Sequence, residues 1–159
     1  MSFAPEGPYL LGDPRYEYLI LKRFKHWTLY LNENQSHLGR AYAWYTKEHV
    51  DMHPFEILSL GELSELQKIM TIYRFVLRRL FGEHLLNSEW LGNEIHMHRG
   101  HGHMHLIPRY PEPVLFEGRT YTDERFGKRS TYEKLALPKN ELIRIRDEIR
   151  ERVQTFPVE

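Results

Sequence analysis

The chain has 159 residues, with 22 Lys plus Arg balanced by 22 Asp plus Glu, ten histidines and no cysteine. The balance excludes a broad field for nucleic acid or an anionic membrane, so any phosphate recognition has to be local, and the missing cysteines exclude disulfides and thiolate metal sites. This length is enough for one domain with its own core. Met1 to Leu11 lacks a basic segment followed by an apolar one, and no apolar run reaches spanning length, so a cytoplasmic protein is expected.

Residues 1–15 carry Pro5, Gly7, Pro8, Gly12 and Pro14 and read as an irregular leader. Tyr16 to Phe24 mixes aromatic and aliphatic residues (Tyr18, Leu19, Ile20, Leu21), and its period does not separate strand from short helix. His26 to Leu31 is rich in β-formers, Asn32 to His37 is a polar turn ended by Gly39, and Arg40 to Thr46 alternates around Tyr42 and Trp44, which completes a hairpin. Lys47 to Leu58 is a polar connection holding His49 and His53, and Pro54 argues against a long helix there. Ser59 and Glu62 have capping-box spacing. Leu63, Leu66, Met70, Tyr73, Leu77 and Leu80 then form a helical stripe, with Gly82 as its stop.

His84 to Trp90 is a second β-like run, and Leu91-Gly92-Asn93 turns away from it. Past Arg109-Tyr110 the chain reads as loop, with Pro111, Pro113, Gly118 and Gly127. Pro138 precedes an amphipathic helix on Leu142, Ile145, Ile149 and Val153, whose Glu and Arg residues read as a solvated face.

The chemistry concentrates in His101-Gly102-His103-Met104-His105-Leu106-Ile107-Pro108-Arg109. In a strand alternate side chains leave one face, so the three imidazoles line up roughly 6–7 Å apart, with Met104 and Leu106 behind them. Pro108 cannot donate to a ladder, so the strand is expected to finish near it. Such a face suits a metal site. It equally suits metal-free phosphoryl chemistry, in which a neutral imidazole attacks phosphorus while its neighbours donate hydrogen bonds. Three close imidazoles cannot all be protonated, because like charges depress one another's pKa, so one stays nucleophilic while another carries a proton. Solvated histidines on an exposed strand are the plain alternative.

The run His101 to Ile107 resembles the signature of the histidine-triad (HIT) family of nucleotide hydrolases and transferases. Pro108-Arg109-Tyr110 and Phe116-Glu117-Gly118…Phe126-Gly127 resemble its diadenosine-tetraphosphate-hydrolase-like microbial branch. The resemblance implies a single α+β domain over residues 1–159, with residues 111–159 as a C-terminal loop and helix extension. It implies an antiparallel sheet, a packed amphipathic helix and a triad strand near the sheet centre. It implies His103 as the nucleophile that forms a nucleotidyl-imidazole, His101 and His105 as its orienting and hydrogen-bonding partners, and Asn32 as the ribose ligand. Asn93 and His49 would help hold phosphates. The implied substrate is a nucleotide, as in dinucleoside polyphosphates. No cofactor is required, no nucleic-acid polymer or membrane is engaged, and the protein pairs as a homodimer.

Three features depart from that pattern. Gly102 stands where an apolar β-former is usual, Arg40 where a histidine commonly follows the glycine, and His96 and His98 are additional. Five imidazoles within ten residues, His96 to His105, keep a metal-binding or metal-dependent protein as one alternative. A nucleotide-binding protein without turnover is another.

Overall fold

The computed structural model describes residues 11–47, 54–92, 101–129 and 134–157. Tyr16 to Phe24, left open between helix and strand, is both in turn. A 3-10 helix (Pro14–Leu19), capped by the Asp13 carboxylate on the Arg15 amide, leads directly into β1 (Ile20–Arg23). The hairpin follows as β2 (Trp27–Leu31) and β3 (Ala41–Tyr45), paired from Trp27–Tyr45 to Leu31–Ala41. Every residue of both strands is buried, so aromatic and aliphatic side chains occupy both faces. β4 (Leu85–Trp90) and β5 (His103–Arg109) complete a five-stranded antiparallel sheet in the order β1-β2-β3-β5-β4.

The triad strand therefore has a neighbour on each side. It ends one residue past Pro108, near the expected stop. β3 has already turned away, its last partner being Ala41 opposite Leu106, and Pro108 is paired with Leu86 of β4. The missing N–H leaves no gap in the β3 ladder.

A single turn, α1 (Pro54–Ile57), precedes α2 (Leu60–Phe81). The capping box forms as its spacing predicts: the Ser59 hydroxyl accepts from the Glu62 amide at 3.2 Å, and Glu62 accepts from the Ser59 amide at 2.8 Å. The buried stripe is Leu66, Ile69, Tyr73, Val76, Leu77 and Phe81, with Leu63, Met70 and Leu80 at its margins. α2 lies across the sheet face that carries Trp27, Leu29, Ala43, Tyr45 and Leu106. Trp27 Nε1 donates to the Glu62 carbonyl at 3.0 Å and the Tyr73 hydroxyl donates to the Gly39 carbonyl. Gly39 has φ +82°, and a Cβ there would meet Leu77 Cδ2 at 2.9 Å, so the bend needs glycine on both counts.

Glu62 also accepts from Lys47 Nζ and, at 2.8 Å, from the Tyr45 hydroxyl. Lys47 foremost, then Ser59 and Tyr45, hold its carboxyl down to about 2 against the opposing effect of burial. A carboxylate depressed in the folded state stabilises above its ordinary value, and that contribution disappears as pH falls to the folded value. The stability difference between the parent and Glu62→Gln is therefore expected to be full above about pH 5 and to close between pH 4.5 and 2. Urea melts across that window check it; a difference independent of pH would refute the linkage.

α3 (Lys139–Gln154) buries Leu142, Ile145, Ile149 and Val153, as its period predicts. Its arginines are more than a solvated face. Arg146 donates to the Tyr18 carbonyl at 2.8 Å and Arg150 donates to the Ile20 carbonyl, tying the helix to the 3-10 helix and to the first strand respectively. Lys22 reaches back to the helix C-terminus, donating to the carbonyls of Val153 and Phe156, where a cation suits the helix dipole.

The passage expected to be loop after Tyr110 contains a hairpin of β6 (Val114–Phe116) and β7 (Arg119–Tyr121). Glu117 and Gly118 connect them with φ +49° and +79°, the pair of positive angles that a tight two-residue hairpin turn requires.

Candidate functional site

Period two divides the sheet residues between two faces. Opposite the α2 face are Thr28 and Tyr30 of β2, Tyr42 and Trp44 of β3, and His103, His105, Ile107 and Arg109 of β5, with Asn32 and Arg40 continuing the β2 and β3 rows. Across β5 on β4, Glu89 lies opposite His105 and Asn87 opposite Ile107.

His103 and His105 are both buried, and their rings approach more closely than strand spacing alone implies, with centroids 4.7 Å apart and planes at 58°. β3 supplies the reason. Trp44 pairs with His103 across the strands and stacks on it at 4.3 Å and 15°; Tyr42 stands edge-on to both imidazoles, at 5.2 Å from His103 and 4.9 Å from His105. His101 precedes β5. Its backbone neighbour continues the ladder, Gly102 O accepting from the Tyr45 amide at 3.0 Å, and its own Nδ1 lies 3.3 Å from the Tyr45 carbonyl. A carbonyl only accepts, so this contact makes Nδ1 the protonated nitrogen and leaves Nε2 with the lone pair in the neutral ring.

Asn32 closes the β2 end of the same face. Its amide N–H donates to the Arg40 carbonyl at 2.9 Å and its Oδ1 accepts from the Asn34 amide at 2.8 Å, an Asx turn that fixes which way the side chain points. The buried Nδ2 has no partner among the described residues. Gln35, which the sequence did not single out, holds the loop: Nε2 donates to the carbonyls of both Asn32 and Arg40, and Oε1 accepts from the Gly39 amide. Arg40 is fully buried and places a permanent positive charge on this face, where a titratable histidine would be neutral at higher pH.

Beyond Ile107, Arg109 is gripped by Asp123, Arg125 and Lys128. Burial acts to raise the Asp123 carboxyl, but hydrogen bonds and charge from Arg109, with His37 beside it, hold it below its ordinary value. Burial lowers the His37 imidazole against the pull of Asp123. His37, Asp123 and Arg125 border a cleft of about 650 Å³ formed with Ser36, Thr122 and Lys134.

His49 and Asn93, the expected phosphate ligands, and the extra pair His96 and His98 lie outside the described residues. Among the described residues no three His, Asp or Glu side chains are placed to hold a metal ion, and no helix is long and apolar enough to cross a membrane.

No family model and no curated protein matches the chain. Solved structures do. A histidine triad protein from Bradyrhizobium japonicum aligns with 89% of this chain and 96% of its own at a TM-score of 0.61 and 12% identity. A histidine triad protein from Sinorhizobium meliloti 1021 aligns over 88% and 94% at 0.59 and 18% identity. The fold is that of the histidine triad proteins. A hypothetical histidine triad nucleotide-binding protein from Sulfolobus tokodaii strain7 shares it over 86% of this chain and 83% of its own, at 0.58 and 18% identity. The histidine triad fold accounts for the triad strand lying inside the sheet with α2 on the opposite face.

Proposed function

We propose that the protein is a nucleotide hydrolase or transferase that releases a nucleoside monophosphate from a phosphoanhydride or phosphoramidate, dinucleoside polyphosphates among them. The observation that carries this reading is the pair of touching imidazoles, His103 and His105, on a face that also presents the unspent amide of Asn32. One nitrogen of neutral His103 attacks the α-phosphorus, and the bond to the leaving group breaks, P–O in an anhydride and P–N in a phosphoramidate. His105 and His101 orient the ring, hydrogen-bond the phosphoryl oxygens and protonate the departing oxygen or nitrogen. Water then attacks phosphorus, the P–N bond breaks, and its electron pair returns to His103. Arg40 balances phosphate charge on the same face. Asn93 and His49 complete the phosphate contacts. No metal or cofactor is required, and the chain works as a cytoplasmic homodimer. The nucleotide-binding description of the Sulfolobus tokodaii protein agrees with the substrate class.

The test is a panel of adenylated and guanylated anhydrides and phosphoramidates, incubated without added metal and again in chelator, with released monophosphate quantified. Turnover that survives chelation supports the histidine route. Turnover abolished by chelation and restored by metal favours a metal centre on the His96–His105 cluster, and tight binding without turnover favours a nucleotide-binding protein.

Asn32 provides a separate check on the ribose. Because Oδ1 is committed to the Asx turn, Asn32→Ala disturbs the loop as well as the ligand, so the ribose contact is read as the difference between ribonucleotide and deoxyribose substrates in that variant. kcat/KM for ribonucleotide substrates is expected to fall roughly tenfold to a hundredfold, with a smaller loss on the deoxyribose analogues. Equal losses on both sugars would remove Asn32 from ribose recognition.

A further inference from the structure

We infer that Trp44 is a positioning residue that stabilises His103 in its positively charged forms, the imidazolium and, on the reading above, the nucleotidyl-imidazolium. The indole is fully buried and lies almost parallel to the His103 ring, 4.3 Å between centroids and 15° between planes, with Tyr42 perpendicular at 5.2 Å. A neutral imidazole in that position gains ordinary stacking. A cationic one also sits over the negative face of the indole, well within the roughly 6 Å over which the ring quadrupole attracts charge.

The reaction needs such a contact. Neutral His103 has one N–H and one lone pair. When the lone-pair nitrogen bonds to phosphorus and the leaving group departs with the electron pair of its P–O or P–N bond and a proton from a neighbouring donor, the other nitrogen keeps its hydrogen. The ring is then a cation until water displaces it. The surroundings disfavour that cation: His103 is buried, His105 touches it, and Arg40 adds positive charge to the same face. The remaining titratable groups on this face among the described residues are Tyr30 and Tyr42, Arg109 further along β5, Glu89 opposite His105 and, two residues before, His101. Trp44 is the group held flat against the reacting ring. Its side chain never has to touch substrate, so it acts through His103.

Two measurements test this together. Titration of the carbon-13-labelled His103 ring by NMR, assigned with His103→Gln, needs no substrate. In folded Trp44→Leu the midpoint is expected to fall by roughly half to one pH unit, with Trp44→Phe in between. Under rapid alkaline quench, the rate of nucleotide transfer to His103 is expected to fall roughly threefold to tenfold in Trp44→Leu and less in Trp44→Phe, with KM nearly unchanged. Should Trp44→Leu not fold, fluorinated tryptophan keeps the ring's shape while weakening its negative face, and must lower the midpoint in the same way. Of the other tryptophans, Trp27 packs on Tyr45 and Trp90 on Trp27. An unchanged or raised midpoint overturns the inference. A lowered midpoint in a protein that never acquires a nucleotide upholds Trp44 for the imidazolium and overturns the covalent reaction instead.

Discussion

His103→Ala is expected to lower turnover by roughly a thousandfold or more, because a covalent route has no substitute for its nucleophile. The parent should carry a nucleotide on that side chain during turnover. Phosphoramidates of imidazole are acid-labile and comparatively alkali-stable, so the quench has to be alkaline. The peptide spanning His103 should then gain the mass of one nucleoside monophosphate, and the variant should show neither adduct nor appreciable product. A metal-bound hydroxide would attack without any protein adduct. Turnover lost to chelator, restored by metal and free of adduct under every quench would defeat the histidine nucleophile. The parent's melting transition should survive the substitution, since His103 packs against aromatic rings that remain in contact with one another, Tyr42 and Trp44 at 6.4 Å.

The largest effect on stability is expected at Arg109. Its side chain is 4% exposed and that of Asp123 3%, and the guanidinium donates to both Asp123 oxygens and to the carbonyls of Arg125 and Lys128. Arg109→Met would strand a buried carboxylate and two carbonyls, at a cost of about 3–5 kcal/mol. Arg109→Lys should recover little of it, because an ammonium cannot reproduce the fork. The double substitution Arg109→Met with Asp123→Leu should be milder than Arg109→Met alone, since the stranded charge is then gone. Urea denaturation of the three variants measures this. If Arg109→Met cost under 1 kcal/mol, the pair would be no more than a surface contact.

What the sequence disclosed depended on whether the signal was local. The capping box at Ser59 and Glu62, the α3 stripe and the hairpin around Asn32 to Gly39 are set by residues within a turn or two of one another, and each formed where its spacing placed it. The alternation of His103 and His105 was equally readable. Their close approach was not, because it depends on β3 being the neighbouring strand, in a register that puts Trp44 against His103. Tyr42 and Trp44 accordingly read only as strand formers. The β6–β7 hairpin was hidden by prolines on its approach, although Glu117-Gly118 between the apolar Val114-Leu115-Phe116 and the β-forming pair Thr120-Tyr121 was a usable turn signal. Arg146 and Arg150 read as solvent-facing, since nothing in a helical period shows which backbone carbonyls of a distant segment lack partners.

The double reach of Gln35 has a kinetic consequence. One carboxamide bridges the carbonyls of Asn32 and Arg40 and also receives the Gly39 amide, so the polar turn has a single shape before any ligand arrives. On the proposed reading, binding then does not have to order this loop, and a nucleotide would meet an Asn32 amide already aimed. Association at this end of the site should therefore be a single bimolecular phase, with no slower rearrangement following encounter. Loosening the turn through Gln35→Ala would return that conformational entropy to the free protein, and the weakened affinity would come from the ordering step rather than from any contact with the nucleotide.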